Sequence, residues 1–585
     1  MDKLQLLAKS NPPTWLKFLV ISLIGLGIFF RFTHLGQKVY WYDETATSLA
    51  ISGHSLAEVK QEFFSNWDNN EGVIPVITLD KYQRINPDRT VADTVRYLIT
   101  SDPQHPPLYY VMVRLWAQVF GDLPAGVRSL SAVISLLVFP SVYWLCLELF
   151  ESSLVGWVAM GVMGISPLQV FFAQDAREYG LWMVTILVSS AALLRAMRRE
   201  SYLSWAVYAL ALALGLYTHL LTVMVAIAHG IYVLISQRFR FRELQEINYP
   251  ILWGGHPARP MDWAGETPTP QELIGYFFIW KFLNQSLRHY LLSSIAACLM
   301  FLPWLIVLIT QVHTATNLLS WITFKTDSPF DLIGIWLSRI SRIFFDFNLA
   351  SDDAWVNNLT SESPLLYSIP TIIFSLFLII YIIIFLTKYL STNTSFFIAL
   401  LGGFPGLTLL FYDLTFGGIR SIHFRYQLPL YLSIQIAVVY ILAFHLFLAK
   451  SWQKNLWQFI LVGLLVFGLV SDVRFFQAET WWPQIGGKNL LAMSKRINKF
   501  NNVLLVSNKN DYNLGVILTL SHSLEPKISL LPIQNNQLPI MPQDYKSIFF
   551  VDDLENSLAH QLQQDKTNSL KLVYPLEGFW QLDKN

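Results

Sequence analysis

Apolar runs of roughly 20 residues, the length that crosses a bilayer, recur along this chain about eleven times. They fall at about 15–33, 128–149, 153–173, 179–197, 201–218, 220–236, 290–311, 365–388, 393–412, 427–448 and 456–474. Inside hydrocarbon every backbone polar group must be satisfied within the protein, so runs of this length are expected to be helices. The expected class is an all-α polytopic membrane bundle. Composition agrees: of 585 residues 53% are hydrophobic and 14% charged, against about 25% charged in soluble domains. A formal net charge of +1 leaves no basic field for nucleic acid. Cys146 and Cys298 are the only cysteines and both lie in apolar runs, which excludes a disulfide scaffold and a thiolate zinc cluster.

Lysines at 3, 9 and 17 precede the first run, and Arg31, Phe32 and His34 follow it where a secretory signal would place small residues, so it is read as an uncleaved first span. Arg195, Arg198, Arg199, Arg238, Arg240, Arg242, Lys388, Lys450 and Lys454 share the side of the N-terminus, which the positive-inside rule makes cytoplasmic. This parity holds only if residues 106–120, PPLYYVMVRLWAQVF, lie along the outer interface as an amphipathic helix and do not cross. The expected organisation is a membrane domain over 1–475, with interfacial helices in a first outer loop (34–127) and a cytoplasmic loop (237–288). Within the latter, WGGHPARPMDWAGETPTP is turn-rich. A small extracytoplasmic α/β domain is expected over 476–585, where VLLV (503–506) and IFFV (548–551) read as strands. A bacterial inner or plasma membrane is the expected location.

Polar clusters beside membrane spans are costly, and four are expected on the outer face. Tyr42-Asp43-Glu44 offers an acidic pair as general base or metal ligand, or simply the first turn of an interfacial helix. Asp102, His105, Tyr109 and Tyr110 stand at the entry of the interfacial helix, as a phosphate or sugar contact or as a turn with aromatic anchors. The corner Gln174-Asp175-Ala176-Arg177-Glu178-Tyr179 carries an arginine suited to bidentate phosphate recognition, or an internal ion pair. Arg420, His423, Arg425 and Tyr426 would receive an anionic headgroup, or snorkel to lipid. His219 ends another span on that face, where a lone histidine is more often structural. Carboxylates suit deprotonation of a nucleophile and cations suit a phosphate leaving group. Without a Gly-rich phosphate loop, a lipid-phosphate donor fits better than a soluble nucleotide.

At these residues the chain resembles the GT-C superfamily of integral-membrane glycosyltransferases, specifically the protein mannosyltransferase and aminoarabinose transferase group (glycosyltransferase family 39). YDETATSLA is similar to the family's acidic motif of the first outer loop, HPPLYY to its His/Lys-Pro-Pro-Leu motif, and GVRSLSAVISLL to the Arg-Pro-Ser opening of the next span. SPLQVFFAQDAREYGLW is similar to the Gln-x-x-Arg-x-Tyr corner and FRYQLPLYL to the late Arg-Tyr segment. The resemblance implies sugar transfer from a polyprenyl-phosphate donor to a hydroxyl of a lipid, glycan or protein, with inversion. It implies Asp43 as general base with Glu44 in support. His105, Arg177, Tyr179, Arg425 and Tyr426 would then attend the lipid phosphate, with Asp102, Asp175, Tyr109 and His423 as further support. The cofactor is left open: a divalent cation, if used, would fall to Asp43 and Glu44. Two departures stand out. Asp102 lies three residues before His105 where the mannosyltransferases have an Asp two before, and the motif continues Leu-Tyr-Tyr in place of Leu-Gly-Lys. The alternatives are en bloc oligosaccharide transfer, and a lipid-linked sugar transporter, which would place charges in mid-span.

Overall fold

The computed structural model describes residues 7, 10–65, 72–236, 270–323, 328–347, 364–508, 510–533, 544–552, 560, 569–574 and 578–583. The turn-rich stretch at 253–270 lies outside them but for Pro270. The chain enters through α1 (Thr14–Phe32) and then builds the first loop from short helices: α2 (Tyr42–Ser52), α3 (Leu56–Ser65), α4 (Val91–Ser101) and α5 (Leu108–Phe120). α5 has 13 residues, about 20 Å at the helical rise, too short for a hydrocarbon core of about 30 Å. It buries Tyr109, Tyr110, Val113 and Arg114 and exposes Leu115, Val119 and Phe120, as a surface-lying amphipathic helix should. The Arg114 guanidinium donates to the carbonyls of Ile51, Asn86 and Arg89, tying α5 to the end of α2 and to the approach to α4.

The bundle continues with α6 (Pro124–Ser135), α7 (Val138–Phe150), α8 (Ser153–Gly164), α9 (Pro167–Ala173), α10 (Tyr179–Arg199), α11 (Tyr202–Thr218), α12 (Thr222–Ser236) and α13 (Pro270–Thr310). After α14 (Val312–Leu318) and α15 (Pro329–Ser341) come α16 (Pro364–Tyr389), α17 (Thr392–Phe416), α18 (Leu428–Leu448) and α19 (Ser451–Gln477). Among the described residues eight helices are long and apolar enough to cross a membrane, nine with the bent pair α8–α9 taken as one span, and α11 and α12 are shorter apolar helices. Together these occupy all the apolar runs of the sequence. The protein is a polytopic, mostly helical membrane protein. One boundary differs from expectation: residues 270–288, assigned to a loop, are helical. Pro270 can open a helix, and no further proline interrupts α13 before Pro303.

The run 153–173 is not one straight span. It breaks at Ile165–Ser166 with a 63° bend, because Pro167 removes an N–H and holds Ser166 out of the helical region. The broken turn leaves carbonyls to be satisfied. Arg31, fully buried at the end of α1, donates to Gly164 O at 2.6 Å and Met163 O at 3.0 Å. The guanidinium also feels the charge of Asp472 on α19, another fully buried group. Close approach makes this possible: a Cβ on Gly27 would lie 2.1 Å from the Gly164 carbonyl oxygen. From the break, α9 runs straight into the corner at 174–178.

The tail forms α20 (Gly487–Ile497), β2 (Val503–Asn508), α21 (Asp511–Ser521), β3 (Ser529–Ile533), β4 (Ser547–Val551), β5 (Ser569–Tyr574) and β6 (Phe579–Asp583). The expected strands are β2 and β4, parallel neighbours at the centre of the sheet. The sheet is not confined to the tail, however. Its order is β1-β3-β2-β4-β6-β5, and β1 is Ile74–Pro75 of the first loop, antiparallel to β3. A unit bounded at 476 therefore leaves out one of its own edges.

Candidate active site

The first turn of α2 points two adjacent carboxylates at different partners. Glu44 is fully buried. Its Oε1 accepts from Arg128 Nε at 2.7 Å and from the Ala176 amide at 2.9 Å, and its Oε2 from Arg128 Nη2 at 2.5 Å. Arg128, also fully buried at the start of the α6 span, donates further to the carbonyls of Leu35, Lys38 and Val39. The expectation of Glu44 as a catalytic or metal-binding partner of Asp43 is corrected here: its oxygens are consumed by Arg128 and Ala176, so it anchors α2 to the bundle. Sequence reading passed over Arg128 as a site residue, although the arginine stands inside the quoted GVRSLSAVISLL; an arginine opening an apolar run needs a partner, and that was the available signal.

Asp43, partly exposed, forms an ion pair with Arg425. Its own backbone carbonyl accepts from Arg177 Nη1 at 3.1 Å. Two arginines, from the α9–α10 corner and the approach to α18, thus meet at one residue, Arg425 at its carboxylate and Arg177 at its backbone carbonyl. Arg177, itself buried, makes a second contact at 2.8 Å between Nη2 and His105 Nε2. A guanidinium only donates, so His105 Nε2 must be the acceptor and Nδ1 must carry the proton. That proton is given to Asp102 Oδ1 at 2.7 Å, which brings Asp102 into the site despite its displaced position in the motif. Glu178 lies behind Arg177, 3.4 Å from its Nε, and accepts from the Tyr110 hydroxyl at 3.1 Å. Burial alone would raise the Glu178 pKa, but the Arg177 charge outweighs it and holds the carboxyl down at about 2.

Aromatic rings wall the second arginine. The Arg425 guanidinium carbon lies 5.5 Å from the centroids of Trp321 and Tyr426, 5.8 Å from Tyr179 and 6.0 Å from Trp41. Rings at these distances favour a cation in a place with little water. Trp41 and Trp321 were missed in the sequence because aromatics are abundant throughout it.

The remaining expected residues divide. Asp175 is buried and accepts from Trp41 Nε1 at 3.1 Å, which holds that ring in place; burial, followed by the Glu44 charge, raises its pKa well above the ordinary value. Tyr109 turns away, its hydroxyl 2.7 Å from Ser131 Oγ in the core, and is corrected to a packing residue. His423 meets the Trp321 ring edge-on at 4.7 Å; burial and then Arg425 push its pKa well down, so it is neutral and adds no charge for a phosphate. His219 stacks on Trp182 at 4.1 Å. Among the described residues no three His, Cys, Asp or Glu side chains gather as a metal site requires, and both carboxylates suggested for a cation face guanidiniums. The donor set does not fit a resident divalent metal.

The family model described as Dolichyl-phosphate-mannose-protein mannosyltransferase matches residues 104–253, a segment that holds His105, Arg128 and the Arg177 corner. The chain is a membrane glycosyltransferase, similar over that segment to the protein mannosyltransferases. Among solved structures, ArnT from Cupriavidus metallidurans bound to undecaprenyl phosphate is similar with a TM-score of 0.45 and 11% identity, over 96% of this chain and 97% of that one. The Archaeoglobus fulgidus oligosaccharyltransferase tethered to an acceptor peptide is similar with a TM-score of 0.41 and 10% identity, over 88% of this chain and 64% of that one. No curated protein matches the sequence.

Proposed function

We propose that this glycosyltransferase moves one sugar from a polyprenyl-phosphate carrier to an acceptor hydroxyl, with Asp43 as general base and Arg425 and Arg177 receiving the phosphate. The observation that carries the reading is the convergence on Asp43, a partly exposed acid, of the buried Arg177 guanidinium and the part-buried Arg425 guanidinium, the latter in an aromatic cage. Arg425 and Asp43 satisfy one another while the site is empty. The donor's phosphodiester competes for Arg425, because its two non-bridging oxygens share a negative charge and can accept from a guanidinium in a bidentate pair as a carboxylate does. Asp43 is then released to take a proton from the acceptor. The acceptor oxygen forms a bond to the anomeric carbon, the carbon–oxygen bond to phosphate breaks, the proton goes to Asp43, and the lipid phosphate keeps the electron pair beside the arginines. A single base and no covalent intermediate give inversion, by analogy with inverting glycosidases.

A lipid-phosphate donor is supported by the matched family's printed substrate, dolichyl-phosphate-mannose, and by the site's place at the ends of the apolar helices. The charges at Arg195, Arg198, Arg199, Lys388, Lys450 and Lys454 lie at the far ends of those helices. The positive-inside rule puts that end in the cytoplasm and the site outside. The test is to incubate purified protein in detergent with labelled polyprenyl-phosphate sugars and a membrane lipid and glycan extract. Wild type should consume one donor, and folded Asp43→Asn should not. Equal turnover by the variant removes Asp43 from the mechanism, and no consumption of any donor by wild type removes the reading itself.

A further inference from the structure

The tail's contribution to the site has so far gone unassigned. Tyr42 precedes Asp43 and leaves 40% of its surface exposed beside the reacting carboxylate. Its ring rests on the backbone of α21. A Cβ on Gly515 would lie 2.4 Å from Tyr42 Cε2 and 2.6 Å from its hydroxyl oxygen, so only glycine permits this seat. α21 is itself held against the first loop. Lys60 pairs with Asp511 at 2.6 Å, Gln83 Nε2 donates to Leu518 O at 2.7 Å and to Ser521 Oγ at 2.9 Å, and Tyr40 meets His522 edge-on at 4.5 Å. The paired strands β1 and β3 continue the same junction.

We propose that Tyr42, seated on Gly515, is the acceptor platform, and that the sheet domain serves catalysis by fixing this ring beside Asp43. The inference rests on the glycosyl-transfer reading above. The donor's phosphate is drawn to the arginines that contact Asp43. The half-exposed face of a fixed aromatic ring then remains for the nucleophile. A ring of this kind takes the flat C–H face of a sugar and leaves the sugar's hydroxyls free to reach Asp43. The acceptor class this favours is a carbohydrate hydroxyl, in preference to a serine or threonine in a peptide.

Gly515→Ala separates this role from folding. Within a helix, alanine normally stabilises relative to glycine, and here it meets only the end of a side chain that can swing aside. The substitution therefore moves the Tyr42 ring and spares the fold. With a labelled polyprenyl-phosphate hexose as donor, two acceptor probes are offered, a methyl glycoside and a threonine-containing peptide, and donor hydrolysis without acceptor is measured in parallel. Wild type should transfer to the glycoside. Tyr42→Ala and Gly515→Ala should each raise the glycoside half-saturation concentration about tenfold, and Gly515→Ala should leave donor hydrolysis unchanged. The double variant should be no worse than Tyr42→Ala, because the added methyl then has nothing to displace. Unchanged half-saturation in Tyr42→Ala, strictly additive effects, or transfer to the peptide alone overturns the platform while donor hydrolysis leaves the transferase reading standing. Failure of wild type to consume the donor with either acceptor overturns both.

Discussion

Asp43 and Glu44 are adjacent, yet they answer to residues far apart in the chain. Glu44 closes a fully buried pair with Arg128, and Asp43 a part-exposed one with Arg425, 382 positions away. Their substitutions should therefore fail differently. Glu44→Gln leaves the Arg128 guanidinium buried without its counter-charge, at a cost of about 3–5 kcal/mol, and thermal unfolding in detergent should show it as a clear fall in midpoint. Asp43→Asn should unfold like wild type while transfer drops about 10²–10⁴-fold, the usual worth of a positioned base. Lys38 gives a pH signature. Burial, reinforced by Arg128, pushes its ammonium down to about 7. Above that pH the folded chain has shed a proton that the unfolded chain keeps until near its ordinary value of 10.5. Stability should therefore rise with pH across this window. Midpoints measured from pH 7 to 10 should show the rise, and Lys38→Met should flatten it.

At the scale of elements, what was legible in the sequence is what apolar length and punctuation encode. The helices that cross, the surface-lying α5 with its central arginine, and the strands β2 and β4 could all be read from local pattern, because each depends on neighbours within a few residues. The site was legible in part. Asp43, His105, Arg177 and Arg425 stand in short polar clusters beside apolar runs, and the fold brings these four together. Arg128, Trp41 and Trp321 were not legible as site residues, since their meaning comes from partners on other helices. Nor was the bend at Ser166, although Pro167 was in view; a proline permits a break, and here Arg31 caps it. This junction is tight enough to test. Gly27→Ala would drive a methyl into the Gly164 carbonyl and should cost about 1–3 kcal/mol as overpacking. The effect should appear as a lowered unfolding midpoint, together with weaker transfer, because α9 carries the strain directly to the Arg177 corner.

The whole molecule joins two parts that sequence position separates. The membrane helices deliver the arginines, the first loop delivers the carboxylate, and the tail's sheet takes β1 from that same loop. Gln83 reaches Leu518 across 435 positions of sequence. Contacts of such separation form late, because the entropy of closing so large a loop must be overcome before any of them is rewarded. A chain emerging from the ribosome therefore has its first-loop edge waiting, unpaired, through the insertion of every later helix. During that interval Tyr42 has no seat and Asp43 no settled neighbour. Synthesis itself thus acts as a timer: the nascent protein can meet its substrates long before it is able to join them.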